Sequence, residues 1–347
     1  MAYRIENLSP AQAQAAALEV WQHNRSDNAA LHRRIFDWYY HGHPSQQARC
    51  FVLYADDGLT STAVGFAGIA PRTLMFGGQA VQAALLGDFF VDKAHRSFFP
   101  ALSLQRAVTT WARKNFELVY GFPNDLAVPV LQRLGMKPVV PLTRYACVLR
   151  SARHVPIKSR RGAAALGELV DRWMRLRARP MLRGYTFGAE SLVLDNAELA
   201  EFHRRTAWHP GIVQLRDATF LHWRFMQRTD EACDYFALRS GGQLRGYAFV
   251  SRRDQVGYVR DVFVTDSAQL SPLLHALAAH YHAAGVHALS WLCTAAAHVR
   301  SAIVAAGWQP RESTRIMRAF APADVVELPA KWIAPNDWYV TEANEDQ

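Results

Sequence analysis

The chain contains two copies of one pattern, and this constrains its fold more than any other feature. The first copy opens with Gly87–Val91, continues through a long amphipathic segment, and reaches Leu134–Pro138. The second opens with Arg260–Val264 and reaches Ala306–Pro310, with almost the same spacing from its aspartate to its later glycine. Because solenoid repeats span only about 20–50 residues, a repeat of this length is a whole domain. Function must therefore be sought in one domain type that is used twice.

Two landmarks further upstream keep the same order in both copies. Asp37–Tyr40 precedes Val64–Ala67, and His222–Phe225 precedes Arg245–Ala248. Trp38 and Trp223 occupy matching places, which favours core packing in both halves over stacking against a substrate. We divide the chain into a first domain, a basic linker with a helix, a second domain and a tail, at residues 1–150, 151–187, 188–322 and 323–347.

The bulk composition is that of an ordinary globular protein. The 347 residues suffice for two domains with separate cores, and 50% are hydrophobic while 20% are charged. The four cysteines lack C-x-x-C spacing, which indicates free thiols in a reducing compartment and no metal site. We find no apolar run near the roughly 20 residues of a membrane span and no leader peptide. The expected location is the cytoplasm.

The formal net charge is +9, and arginines are concentrated between residues 150 and 183. Such a stretch can be a solvated face between domains, or it can meet nucleic acid, an acidic membrane surface or a phosphate-rich small molecule. No aromatic interleaving and no nucleic-acid motif accompany it, which favours the solvated face over nucleic acid.

The order of elements predicts a fold of the α/β or α+β class. In the first copy, Ala63–Pro71 and Val81–Val91 are strand-like, Pro100–Phe116 has helical spacing, Glu117–Gly121 is a short strand, and Asp125–Leu134 is a helix. The second copy follows the same plan. Mixed strands with two late crossover helices are typical of this class.

With these residues, the order resembles the GNAT superfamily of acyl-CoA-dependent N-acyltransferases, in tandem. Asn124-x-x-Ala127, followed by Gly135-Met136, has the spacing of the last helix of that family. The strand Asp88–Val91, followed by Arg96 and a helix, lies where the family binds pyrophosphate. The resemblance implies two domains, each with a mixed, mostly antiparallel sheet flanked by helices.

Some segments resemble one bacterial subgroup of this superfamily more narrowly. They are Pro100–Arg106, Gly121–Asn124 and Arg216–Phe225. The subgroup is often associated with gene clusters for cell-surface polysaccharides, which implies a role in polysaccharide biosynthesis.

The resemblance also implies a site and a cofactor, acetyl-CoA or another acyl-CoA, with no metal. A helix N-terminus binds the pyrophosphate, and the backbone of the preceding strand holds the pantetheine arm. Asp88 is the candidate catalytic base. The candidate cofactor-binding residues are Phe89, Phe90, Val91, Arg96, Ser97, Phe98, Phe99, Ala101 and Asn124.

The sequence departs from the family pattern at three places. Phe99 stands where the family has glycine, and Leu131 stands where the family has a tyrosine acid. The loop Asp266–Ser271 has no phosphate-binding pattern, so we expect the acyl-CoA site in the first domain. Asp88 can also be a structural acid, because Asp261 repeats it in a copy with no such site. Arg96 can equally be a solvated arginine, and capping of a helix alone explains Asn124.

The function we expect is transfer of an acyl group to a small-molecule amine, such as that of a sugar or a sugar phosphate. The acceptor would lie between the domains, where Arg177, Arg179 or Arg183 would read an anionic group. The alternative is a non-catalytic binding or scaffold protein that has lost the phosphate loop. The sequence implies no nucleic-acid partner and no oligomeric state.

Overall fold

The computed structural model describes residues 2–25, 28–154, 166–169, 172, 179–192, 197–206, 211–321, 327–329, 332 and 337–345. Much of the predicted linker, including Arg177, lies outside these residues. Two lobes are seen, one for each copy of the sequence pattern.

The first lobe combines antiparallel strands with four helices among the described residues. Its strands are β1 (Ala2–Leu8), β2 (Arg49–Asp56), β3 (Ser61–Phe76), β4 (Gln79–Val91), β5 (Leu118–Gly121) and β6 (Lys137–Pro141). Its helices are α1 (Pro10–Asn24), α2 (Ala29–Phe36), α3 (Phe98–Asn115) and α4 (Val128–Arg133).

Local chemistry explains where these helices begin. Ser9 and Gln12 form a capping box at the start of α1, and Pro10 occupies its first position, where no N–H is needed. The helix α4 is shorter than the predicted Asp125–Leu134, because the Oδ1 of Asn124 accepts the N–H of Ala127 and closes a turn first.

The second lobe repeats this arrangement. Its strands include β8 (Thr186–Glu190), β10 (Cys233–Ser240), β11 (Gln243–Arg253), β12 (Val256–Val264), β13 (Ala288–Thr294) and β14 (Gln309–Arg311). Strand β9 (Ile212–Gln214) also belongs to this copy, but it pairs with β3 of the first lobe. Its helices are α5 (Ala197–Arg204), α6 (Ala218–Leu221), α7 (Leu270–Ala283) and α8 (Ala297–Ala305).

The last strand of each copy lies in the lobe of the other copy. Strand β7 (Thr143–Val148) belongs to the first copy, yet it pairs with β13 and β14. Strand β15 (Ile316–Phe320) belongs to the second copy, yet it lies between β5 and β6. The sheet orders are therefore β1-β2-β3-β4-β5-β15-β6 and β8-β10-β11-β12-β13-β7-β14. Each lobe is completed by a strand of the other.

The predicted fold class is confirmed, since both sheets are mixed, mostly antiparallel and flanked by helices. The domain boundaries at residues 150 and 188, where the first copy ends and the second begins, stay a prediction. The tail contributes strand β16 (Trp338–Thr341). This strand pairs with β9 and β13 and so joins the two sheets.

A reciprocal tryptophan pair fixes the contact between the lobes. Trp38 and Trp223 are buried and lie in π-helical turns, Asp37–His41 and His222–Met226. Each indole Nε1 donates to the main-chain oxygen of the other tryptophan, at 2.7 and 2.9 Å. The rings stack with centroids 5.6 Å apart. Both tryptophans are thus buried, as expected, and they pack one lobe against the other.

The strand exchange predicts that the first copy does not fold alone. A fragment of residues 1–150 lacks β15, so β5 and β6 lose their shared neighbour and expose backbone groups that are otherwise paired. We expect no cooperative urea transition and weak near-ultraviolet circular dichroism for this fragment. Co-expression with residues 151–347 should restore both signals and give a complex that copurifies. A cooperative transition of residues 1–150 alone would contradict the prediction.

Candidate functional site

Two parallel strands of the first lobe diverge and leave a cavity between them. Strands β4 and β5 pair from Ala83 opposite Leu118 to Leu86 opposite Gly121, and there the pairing ends. Strand β4 continues to Val91, and no other described strand pairs with it on this edge. The cavity between the diverging strands, called the slot here, has a volume of about 250 Å³. Main-chain groups of β4 beyond Leu86 can therefore meet a ligand.

A β-bulge shapes the slot wall. Phe66 lies opposite Phe90 and Gly68 lies opposite Gly87, so Asp88 and Phe89 together face one residue of β3. Asp88 has a φ of 52°, which is rare for residues other than glycine. Bulges and strained backbone of this kind are concentrated at functional sites, where they redirect a side chain.

Asp88 lines the slot, and its carboxylate is bound on both oxygens. The Nη2 of Arg25 lies 2.5 Å from its Oδ1, and the hydroxyl of Tyr40 donates to its Oδ2 at 2.7 Å. Burial and the neighbouring carboxylate raise the pKa of Tyr40 well above its usual value, so its hydroxyl stays protonated and donates. A Cβ on Gly68 would lie 1.8 Å from the Tyr40 oxygen, so only glycine leaves room for this contact.

The remaining predicted residues of β4 lie at or beneath the slot. Phe89 and Phe90 are half-buried and line it, whereas Val91 is buried. Asn124, which follows the end of β5, also lines the slot. Its Oδ1 accepts the N–H of Ala127 in the turn that precedes α4.

The predicted loop residues surround the start of α3. Arg96 folds back, with its Nε donating to the Val91 oxygen at 2.9 Å and its Nη2 to the Asn24 Oδ1 at 2.8 Å. Ser97 is the extended residue before the helix. Ala101 is half-buried in the first turns, and only the backbone of Phe98 is described.

The aromatic residue that replaces the expected glycine does not fill the slot. Phe99 is 68% exposed and is not among the residues that line the cavity. The N–H groups at positions 98 and 99 belong to the first turn of α3. The N–H groups of a first turn have no hydrogen-bond acceptor within their helix. Pro100 is the third residue of α3, where its missing N–H has no helical role. The positive end of the helix is therefore intact.

Comparison with solved structures identifies the fold. A GCN5-related N-acetyltransferase from Anabaena variabilis has a TM-score of 0.62 and 14% identity, over 91% of this chain and 72% of that one. A conserved protein of unknown function from Enterococcus faecalis V583 gives 0.64 and 11%, over 92% and 72%. N-myristoyltransferase from Saccharomyces cerevisiae, with bound myristoyl-CoA, gives 0.54 and 11%, over 92% and 81%.

The chain has the GCN5-related acyltransferase fold. Comparison with family models and with curated protein sequences found no match. The likeness in sequence to the solved structures is low, so it establishes the fold alone.

The corresponding gap in the second lobe is filled by the chain itself. Strands β12 and β13 pair in parallel up to Val259 opposite Trp291. Strand β16 then pairs with the end of β13, with Thr341 opposite Cys293. The hydroxyl of Tyr339 donates to the Val262 oxygen. The GCN5-related fold therefore has its open slot in the first lobe.

The second aspartate is enclosed in the same segment. Asp261 is fully buried, and Arg216 binds both of its oxygens at 2.8 and 3.1 Å. The Thr341 hydroxyl donates to it at 2.8 Å. Asp261 is thus a structural acid, whereas Asp88 lines a cavity.

Sequence reasoning missed several residues of the slot. The motif that identifies Asp88 includes neither Arg25 nor Tyr40, and no motif marks Gln105 or Arg315 as residues of the slot. One difference between the copies points to the Tyr40 hydroxyl. The matching residue of the second copy is Phe225, which has no hydroxyl.

Two absences hold for the described residues. No three His, Cys, Asp or Glu side chains come together there as a metal ion would require. None of the helices there has the length and hydropathy needed to cross a membrane.

The contact between Tyr40 and Asp88 gives a stability prediction. Tyr40→Phe removes a hydrogen bond to a buried carboxylate, which should lower the free energy of unfolding by about 1.5–3 kcal/mol. Tyr120→Phe is the matched control, because the Tyr120 hydroxyl is equally buried and has no hydrogen-bond partner. Urea unfolding should show that this control is neutral or stabilised. Equal losses in both variants would disprove the role of the bond.

Proposed function

We propose that this protein is an acyl-CoA-dependent N-acyltransferase whose acyl donor binds in the slot of the first lobe. The observation that carries the proposal is the open gap between β4 and β5, next to a buried carboxylate, in a chain whose second gap is closed by β16. A closed first gap would have left the GCN5-related fold without room for a donor.

The described groups suit the parts of an acyl-CoA. The N-terminus of α3 offers backbone N–H groups and a partial positive charge to the pyrophosphate. The unpaired edge of β4, at Gly87–Phe89, offers main-chain groups to the pantetheine arm and to the thioester carbonyl. An N–H that points at this carbonyl stabilises the negative charge that develops on its oxygen during acyl transfer.

Asp88 is proposed as the base that accepts the proton of the attacking amine. The guanidinium of Arg25 pairs with this carboxylate, and an ionised carboxylate can accept a proton. Tyr40 orients the carboxylate through its hydroxyl.

We propose that the acceptor approaches from the contact between the lobes. A second cavity, of about 760 Å³, shares Arg315 with the slot. Its lining includes the side chains of Arg144, Glu312, Glu342 and Glu345. Arg315 binds Glu345 and Arg260 binds Glu342, so Glu312 is proposed for an ammonium group of the acceptor and Arg144 for an anionic one. An amino sugar or its phosphate, with acetyl-CoA as donor, is the first pair to test, in line with the resemblance to polysaccharide-associated proteins.

The expected arginines of the linker have no described part in this site. Arg183 is exposed. The turn that precedes it, Arg179–Leu182, packs near α7 of the second lobe. It lines neither cavity.

A non-catalytic scaffold is the second candidate, and two residues favour it. Phe99 replaces the glycine that lets a backbone approach phosphate, and Leu131 replaces the tyrosine acid. A scaffold of this kind would bind no acyl-CoA, so binding separates the two functions.

Binding of CoA is the direct test of the donor site. Titration calorimetry should show binding by the wild-type chain. Ala101→Glu should abolish it, because a carboxylate in the first turns of α3 repels pyrophosphate, while the same charge favours the helix dipole and preserves the fold. Ala101→Gln, of the same size but neutral, should bind at least tenfold more tightly than Ala101→Glu. Absence of binding by the wild-type chain would favour the scaffold.

The proposed base predicts a separation of binding from turnover. Asp88→Asn should bind CoA within twofold of the wild type but should lower thiol release from acetyl-CoA, with a panel of amines, by about 100-fold or more. Asp57→Asn, in the exposed turn between β2 and β3, is the control and should be fully active. Unchanged turnover in Asp88→Asn would assign Asp88 a structural role.

A further inference from the structure

Gln105, a residue that lines the slot, carries an unsatisfied polar group. It lies on the third turn of α3, is 2% exposed, and lines the cavity. Its Oε1 has no hydrogen-bond partner. The other residues that α3 and α4 contribute to the slot are apolar, among them Val108 and Leu131. Burying an amide without a partner costs free energy, and native proteins nearly always satisfy such groups.

The neighbouring polar residue of the same helix shows that Gln105 is an exception. Thr109 is one turn further along α3 and is also buried, at 5% exposure. Its hydroxyl donates to the main-chain oxygen of Gln105 at 2.8 Å. Helix α3 thus satisfies a buried hydroxyl internally, while the Oε1 of Gln105, a residue that lines the cavity, has no partner.

The position of Gln105 along α3 indicates which part of a donor would meet it. It follows the first residue of the helix by seven positions, which is roughly 10 Å at 1.5 Å per residue. The pyrophosphate would lie at the start of the helix, and the thioester would lie near Asp88, across the sheet. Between these ends an acyl-CoA has its pantetheine arm, whose two secondary amides are its hydrogen-bonding groups in that stretch.

We propose that Gln105 is a side-chain ligand for the pantetheine arm, with its Oε1 accepting the N–H of a secondary amide. This inference rests on the proposed function. Val108 and Leu131 contact the methylene groups of the same arm. Gln105 then positions the thioester relative to Asp88 without touching the reacting atoms.

The test compares two ligands that differ in the pantetheine arm. Gln105→Leu has a similar volume and no acceptor, so CoA should bind it about tenfold more weakly than the wild type. Adenosine 3′,5′-bisphosphate, which lacks the arm, should bind both chains equally. Thr109→Val is the control and should bind both ligands as the wild type does. The thermal midpoint of Gln105→Leu should not fall, since the variant removes an unsatisfied buried amide.

Three results would overturn the inference, and they can be told apart. Equal CoA affinity for Gln105→Leu and the wild type would exclude Gln105 as a ligand and leave the proposed function intact. Loss of both ligands in Gln105→Leu would place the effect at the phosphate end of the donor and so exclude a specific contact with the pantetheine arm. Absence of CoA binding by the wild-type chain would remove the proposed function and the inference with it.

Discussion

The structure depends on the exchange of one strand in each direction between the two lobes. Strand β7 completes the sheet of the second lobe, and strand β15 completes that of the first. Each exchanged strand has its main-chain hydrogen bonds on both edges supplied by the other copy. The reciprocal hydrogen bonds of Trp38 and Trp223 lie between the same lobes. Together they fix the orientation of the lobes more firmly than contacts between surfaces would.

This exchange also brings a residue of the second copy to the slot of the first. Arg315 immediately precedes β15, and β15 runs along β5, the strand at which the slot opens. The guanidinium of Arg315 lies over the Phe122 ring and binds the carboxylate of Glu345. Arg315 therefore lines both the slot and the second cavity. A site of this kind cannot be assembled from one copy alone.

The two copies show how one inherited position can take two roles. Asp88 and Asp261 occur at matching places on β4 and β12. In the first copy the bulge holds Asp88 beside an open gap, with Tyr40 and Arg25 as partners. In the second copy Arg216 and the C-terminal segment enclose Asp261 completely. The presence of the carboxylate is a property of the sequence, but its accessibility depends on what fills the gap.

Several elements could be predicted because their signals are local. The helix at α3, the hairpin between β3 and β4, and the short strand β5 follow from periodicity, glycine pairs and proline positions. The prediction that the first copy holds the site depended on the missing phosphate pattern in Asp266–Ser271, and the closed gap of the second lobe supports it. The effect of Phe99 could not be predicted, since the residue type does not show that the side chain is exposed and lies outside the slot.

The sequence by itself determined the duplication, the class of fold, the order of elements and the strand that bears Asp88. These depend on short-range spacing, which one chain displays directly. Only the tertiary structure decided the strand exchange, the filling of the second gap by β16, the meeting of Arg25, Gln105 and Arg315 around one cavity, and the bond from Tyr40 to Asp88. Those contacts join residues far apart in the chain, and no local periodicity specifies which edge of a sheet a strand will pair with.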